Sequence, residues 1–373
     1  MRSALAALTA AAVVAASACS SGGDGDRIDD PRALHDELFV MDLHVDSVLF
    51  TTLYGTDFSE AHAPPQGVEY FFRPQADLPS LIAGGTDAWW FGIVVFPLCD
   101  PPRCFADALN TIGTAKRVIA ENGDAMELAT STADIDRIRA AGRIPTLLGM
   151  EGAHGVGESV ENVTQLYEEG LRYIGLAHFT PNGYAMTNVL AGLPGGGLSD
   201  DGRRLIRRMN ELGMLVDVAH THPQSIRDTL EESRAPIFVS HTGLRGEFDT
   251  FRNLGDDEMI AIAERGGTIG VFFASLWLAP ENQSTVENVV DHIDHVVRTV
   301  GIDHVSIGSD YDGFVKLPDD LANAAELPNL TEALVARGYG RRDLAKLYGE
   351  NFLRVFREVE RVADELASTT ADR

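Results

Sequence analysis

Seven side chains of metal-ligand or proton-transfer type recur at comparable places in this sequence: His44, Asp46, Glu151, His178, His220, His241 and Asp310. Each stands at the end of a short apolar run. His44-Val-Asp46 ends the run at 39–43, Glu151 ends 144–150, and His178 ends 172–177. His220, His241 and Asp310 end the runs at 214–218, 236–240 and 304–309. In an extended chain residues two apart share a side, so His44 and Asp46 project together. Three of the histidines (His44, His220, His241) with Asp46 and Glu151 make a nitrogen and oxygen donor set that suits zinc over calcium or magnesium. Five donors exceed the three protein ligands of a usual single catalytic zinc. Two metals about 3.5–4 Å apart, bridged by one carboxylate, use them all. Taken singly, each residue has an ordinary structural explanation, such as a capping pair or a hydrogen-bonded core histidine. The agreement among strands carries the reading, because ionisable groups gathered at one mouth are costly unless they bind metal or do chemistry. His35, His62, His222, His292, His295 and His304 fall outside the pattern and read as structural; His154, three residues after Glu151, reads as a supporting neighbour.

The elements that must position these groups are strands alternating with helices. Buried, β-branched runs are expected at 39–43, 89–97, 144–150, 172–177, 214–218, 236–240, 268–273 and 304–309. Helical spacing of apolar residues lies between them at 104–121, 159–169, 199–212, 222–233, 256–265 and 284–300, with a final helix at 341–361. Eight such alternations predict an α/β fold of the (β/α)8 TIM-barrel type, with the site at the C-terminal ends of the strands. The rival, an open doubly wound sheet, usually carries Gly-x-Gly-x-x-Gly after its first strand, and that is absent here.

The 373 residues are 45% hydrophobic and 23% charged, which excludes extensive disorder, and the net charge of −26 excludes a nucleic-acid partner. Residues 1–18 read as a signal peptide: a basic start, then the apolar run 4–18, too short to span a bilayer. Ser17-Ala18-Cys19 is similar to a bacterial lipoprotein box, so Cys19 is the expected site of an N-terminal lipid, followed by a Ser/Gly-rich tether over 19–32. The expected location is the outer face of a bacterial membrane, with a secreted or periplasmic protein as the alternative. Residues 33–373 then form one domain. In an oxidising compartment Cys99 and Cys104 either close a small disulfide loop or remain free thiols.

At these residues the sequence resembles the membrane (renal) dipeptidase family of zinc peptidases, over most of the chain from His44 to Asn351-Phe-Leu-Arg-Val-Phe356. The resemblance rests chiefly on Gly149-Met-Glu151-Gly, Leu171-Arg-Tyr-Ile-Gly-Leu-Ala-His178, Asp217-Val-Ala-His220, Val239-Ser-His241, Arg252-Asn253-Leu254 and Ile307-Gly-Ser-Asp310-Tyr-Asp312-Gly. It implies a (β/α)8 barrel holding two zinc ions: His44 and Asp46 on one, His220 and His241 on the other, Glu151 bridging. It further implies that His178 contacts the substrate carbonyl, that Arg252 receives the dipeptide carboxylate, and that Asp310 shuttles a proton. The nucleophile is then a metal-bridging hydroxide, and a D residue is tolerated at the C-terminal position. Asp312 is read as orienting a loop. A homodimer is left open.

Two segments depart from the family pattern. The stretch Phe179-Thr-Pro-Asn-Gly-Tyr184 lacks the Asn-x-Pro-Trp-type loop, and Val271-Phe-Phe-Ala-Ser lacks Asn-Phe-Tyr, so a different substrate pocket is expected. The alternatives in function are a metal-dependent amidohydrolase acting on a cyclic amide or acyl-amino acid, and a non-catalytic solute-binding lipoprotein.

Overall fold

The computed structural model describes residues 28–96, 98–192 and 195–371. Nine strands run in it: β1 (Met41–Val45), β2 (Ala88–Val94), β3 (Met126–Leu128), β4 (Ile144–Glu151), β5 (Leu171–Gly175), β6 (Leu215–Asp217), β7 (Val239–Thr242), β8 (Ile269–Val271) and β9 (Val305–Ile307). All pairings between them are parallel, in the orders β1-β2-β4-β5-β6 and β7-β8-β9. Two single bridges, Asp217 with Phe238 and Val45 with Tyr311, join these arcs into a ring. Backbone bonds from Val218 N to Phe238 O (2.9 Å) and from Asp310 N to His44 O (3.1 Å) close it. The fold is thus a (β/α)8 barrel. The eight strands of the ring are buried at every residue except Ile144 at the start of β4, as expected of parallel strands covered by helices.

The expected helices lie at Pro101–Glu121, Asn162–Glu168, Asp200–Leu212, Pro223–Glu232, Asp256–Glu264 and Val286–Val300. Ser199 caps the third, its Oγ accepting from Gly202 N at 2.9 Å. The structure adds elements that the apolar spacing did not announce. β3 pairs with the start of β4 outside the ring, and helices form at Ser47–Tyr54, Thr132–Ala140 and Pro328–Arg337. Of the expected tether 19–32, residues 19–27 lie outside the described residues; beyond them Ile28 packs against the core and Asp30 caps a helix at Pro31–Glu37. The expected signal peptide over 1–18 and the expected lipid site Cys19 lie outside the described residues. Cys99 and Cys104 are joined in a disulfide at the start of Pro101–Glu121. Among the described residues no helix is long and apolar enough to cross a membrane.

The barrel floor is aromatic. Trp90, Tyr173 and Phe238 meet Phe352 and Phe356 of the C-terminal helix Asn351–Ala371, with ring centroids 5.0–5.8 Å apart. Asn351 locks that helix in place, its Nδ2 donating to Ile302 O (2.7 Å) and Val305 O (2.8 Å).

Candidate metal centre and active site

The ends of β1, β4, β5, β6, β7 and β9 converge on one carboxylate. Glu151, the last residue of β4, places Oε1 3.1 Å from His220 Nε2, 3.3 Å from His241 Nε2 and 3.9 Å from His44 Nε2. Its Oε2 lies 3.4 Å from His178 Nε2. His44 Nε2 is also 3.3 Å from Asp46 Oδ1, and the Nε2 atoms of His220 and His241 are 3.1 Å apart. Three ligand-sized groups overlap here: His44, Glu151 and His241; Glu151, His178 and His220; and His44, Asp46 and Asp310. Arg252 is buried beside them, its Nη2 at 3.0 Å from His220 Nε2 and donating to His241 O at 3.1 Å. The structure therefore brings all eight sequence-predicted residues to one mouth.

Local backbone and neighbouring side chains hold this geometry. His220 and Asp310 both stand at positive φ (58° and 66°), a left-handed conformation that costs a non-glycine residue about 1–3 kcal/mol and is typical of functional strand ends. Gly92 is required by Asp46, because a Cβ there would come within 1.8 Å of Asp46 Oδ1. Gly149 is required by Tyr173, whose ring would lie 2.0 Å from such a Cβ. Tyr173 Oη sits 2.7 Å from His44 Nδ1. Ser240 Oγ sits 2.8 Å from His241 Nδ1 and donates to Asp217 Oδ2 at 2.7 Å. For Nε2 to offer its lone pair to a metal, Nδ1 must carry the proton, and these two oxygens accept it. Asp312 accepts from Ser47 Oγ and Gln75 N, tying the loop after β9 to the segment after Asp46.

The electrostatics fit a cation. Burial raises the carboxyls of Asp46 and Asp310 above their ordinary values, Asp310 strongly. Burial would raise Glu151 too, but the surrounding histidines hold it well below the usual range. At His44 burial would lower the imidazole, yet Asp46, Glu151 and Asp310 lift it to about 10. His220 and His241 go the other way, lowered by burial into the neutral, ligand-competent form. His44 Nε2 and Asp46 Oδ1 are buried without a hydrogen-bond partner, although they face the cluster. Orphaned buried donors and acceptors are rare, and a metal ion supplies what they lack. The donor set thus fits metal binding around Glu151.

The histidines read as structural are engaged elsewhere: His35 with Thr331 and Gly84 O, His62 with Asp77, and His295 with Asp256. His222 caps the helix Pro223–Glu232, while His292 and His304 bond the backbone at Leu278 and Gly267. His154 bonds Val95 O at 2.7 Å and does not enter the ligand groups. Tyr173, Asp217 and Ser240 escaped sequence reasoning as supports, although each lies inside or beside a motif that carries a ligand.

A closed (β/α)8 barrel with buried histidines and carboxylates at its mouth defines a metal-dependent hydrolase-type site. Residues 28–370 match the family model for membrane dipeptidase (peptidase family M19), and the chain belongs to that family. It is 34% identical over 259 residues to dipeptidase tcpJ of Claviceps purpurea, covering 69% of this chain and 61% of that protein. It is 36% identical over 219 residues to the uncharacterized dipeptidase C3A11.10c of Schizosaccharomyces pombe, covering 58% and 54%. The match thus spans little more than half the length of these curated relatives. Among solved structures, dipeptidase AC, a metallopeptidase of family M19, superimposes with a TM-score of 0.78 at 25% identity, covering 86% of this chain and 98% of that one.

Proposed function

We propose that the protein is a two-zinc dipeptidase that hydrolyses dipeptides with a free C-terminal carboxylate, including those with a D residue at that position. The observation that carries this reading is the convergence of His44, Asp46, His220 and His241 on Glu151, with Arg252 and Asp310 lining the same cavity. His44 and Asp46 would hold one ion, His220 and His241 the other, and Glu151 both. Bound zinc would polarise the scissile carbonyl and bring water to a nucleophilic state near neutral pH. The remaining work falls to the chain. Asp310, its carboxyl raised by burial, is suited to take a proton from the attacking water and return it to the leaving amine. His178 donates through Nε2 to the oxygen on which charge develops. Arg252 receives the substrate carboxylate: its Nη2 is pinned, while its Nη1 is buried with no partner. A planar guanidinium matches a carboxylate in two-pronged fashion.

The test is hydrolysis of L,L and L,D dipeptides by zinc-loaded protein, alongside N-acyl amino acids and cyclic amides. Turnover confined to dipeptides with a free carboxylate supports the reading. Turnover of the N-acyl amino acids or the cyclic amides alone, or retention of ligand without turnover, overturns it.

A further inference from the structure

The cavity above the ligand cluster has a volume of about 340 Å³. Its polar side chains are Asp46, Glu151, His178, His220, Arg252 and Asp310, and every one already has a role in the proposed reaction. The rest of the wall is apolar, including Phe96, Phe179, Leu276, Trp277 and Phe314. Phe96, Phe179 and Leu276 remain about half exposed, so apolar surface lies open at the mouth. Trp277 is fixed at the Arg252 end. Its ring packs edge-on against Phe251 at 5.2 Å, and its carbonyl accepts from Asn253 Nδ2 at 2.8 Å, so both neighbours of Arg252 in the chain hold it. Phe179 lies at the other catalytic group, its ring 4.7 Å from His178 and 4.8 Å from His220.

On the dipeptidase reading above, the substrate carboxylate occupies Arg252, and the side chain of the C-terminal residue must lie beside that carboxylate. We propose that Trp277 forms the wall of this side-chain site, and that the enzyme selects dipeptides whose C-terminal residue is aromatic or branched aliphatic. A charged side chain there would be desolvated with no partner, because the guanidinium is taken and the carboxylates are committed to metal and proton transfer. An apolar side chain gains contact with the indole and loses water from both surfaces.

The experiment compares zinc-loaded wild type with Trp277→Ala and Trp277→Phe on Ala-Gly, Ala-Leu, Ala-Phe, Ala-Asp and Ala-Lys, each chiral C-terminal residue supplied as L and as D. Wild type should show kcat/KM for Ala-Phe and Ala-Leu at least about tenfold above the other three, the scale on which apolar pockets discriminate. Trp277→Ala should lower Ala-Phe by about tenfold, mainly through KM, and move Ala-Gly by less than about twofold; Trp277→Phe should recover most of the loss. Equal turnover of Ala-Asp or Ala-Lys and Ala-Phe by wild type overturns the proposal. So does a uniform loss on all five in Trp277→Ala. Failure of the dipeptidase reading gives a different signature, no turnover of any member by wild type, and the proposal then falls with it.

Discussion

At the N-terminal ends of the barrel strands, Trp90, Tyr173 and Phe238 close on Phe352 and Phe356, all at most 1% exposed. At the C-terminal ends of the strands, carboxylates and imidazoles face one another, residues including His220 and Asp310 sit at positive φ, and buried polar atoms lack partners. The floor is packed and apolar. The mouth keeps together unfavourable groups that a bound cation would reconcile. The contrast teaches that stability and chemistry are separated along the strand axis, so changes at one end should leave the other largely untouched. Tyr173 is the point of contact, with its ring in the floor and its hydroxyl on His44.

The separation can be broken first at the mouth. Asp310→Asn should lower kcat on dipeptides by about 10²–10⁴-fold with metal content and melting temperature unchanged; loss of metal would make Asp310 a ligand instead. At the floor, Phe352→Ala should cost about 3–5 kcal/mol in denaturant unfolding and leave kcat/KM of the folded fraction near wild type. Tyr173→Phe tests the boundary. Chelator competition should show metal affinity lower by about 10–100-fold, with the ring retained and unfolding little changed. The smallest effect concerns His35, on the helix Pro31–Glu37, whose imidazole is lowered by burial. Its folded value lies below its unfolded one, so its contribution is present above about pH 6.5 and lost as pH falls below that. His35→Gln should show a shallower acid loss of stability in pH-dependent unfolding.

The barrel and its mouth were legible because parallel strands buried on both faces read as unbroken apolar runs, and the polar residue that ends each run is conspicuous. The segment 47–88 was not legible: Ser47–Tyr54 is a helix set by its place against the barrel rather than by a strong periodic signal. β3 has three residues, too few to show a pattern. The supports of the ligands escaped for a different reason. Tyr173 reads as a core aromatic in its own strand, and its partner His44 lies 129 residues away. Gly92 reads as a weak point in a strand, and only the approach of Asp46 shows its purpose.

The central claim is that Glu151 joins two metal sites in a dipeptide-hydrolysing centre. Its most direct test is metal content and dipeptide turnover, measured together on zinc-replete wild type and Glu151→Gln. The account predicts two zinc ions per chain with turnover in wild type, and depleted metal with turnover lost in the variant. One or no zinc per chain in active wild type, or a Glu151→Gln protein that keeps both ions and full turnover, would contradict it.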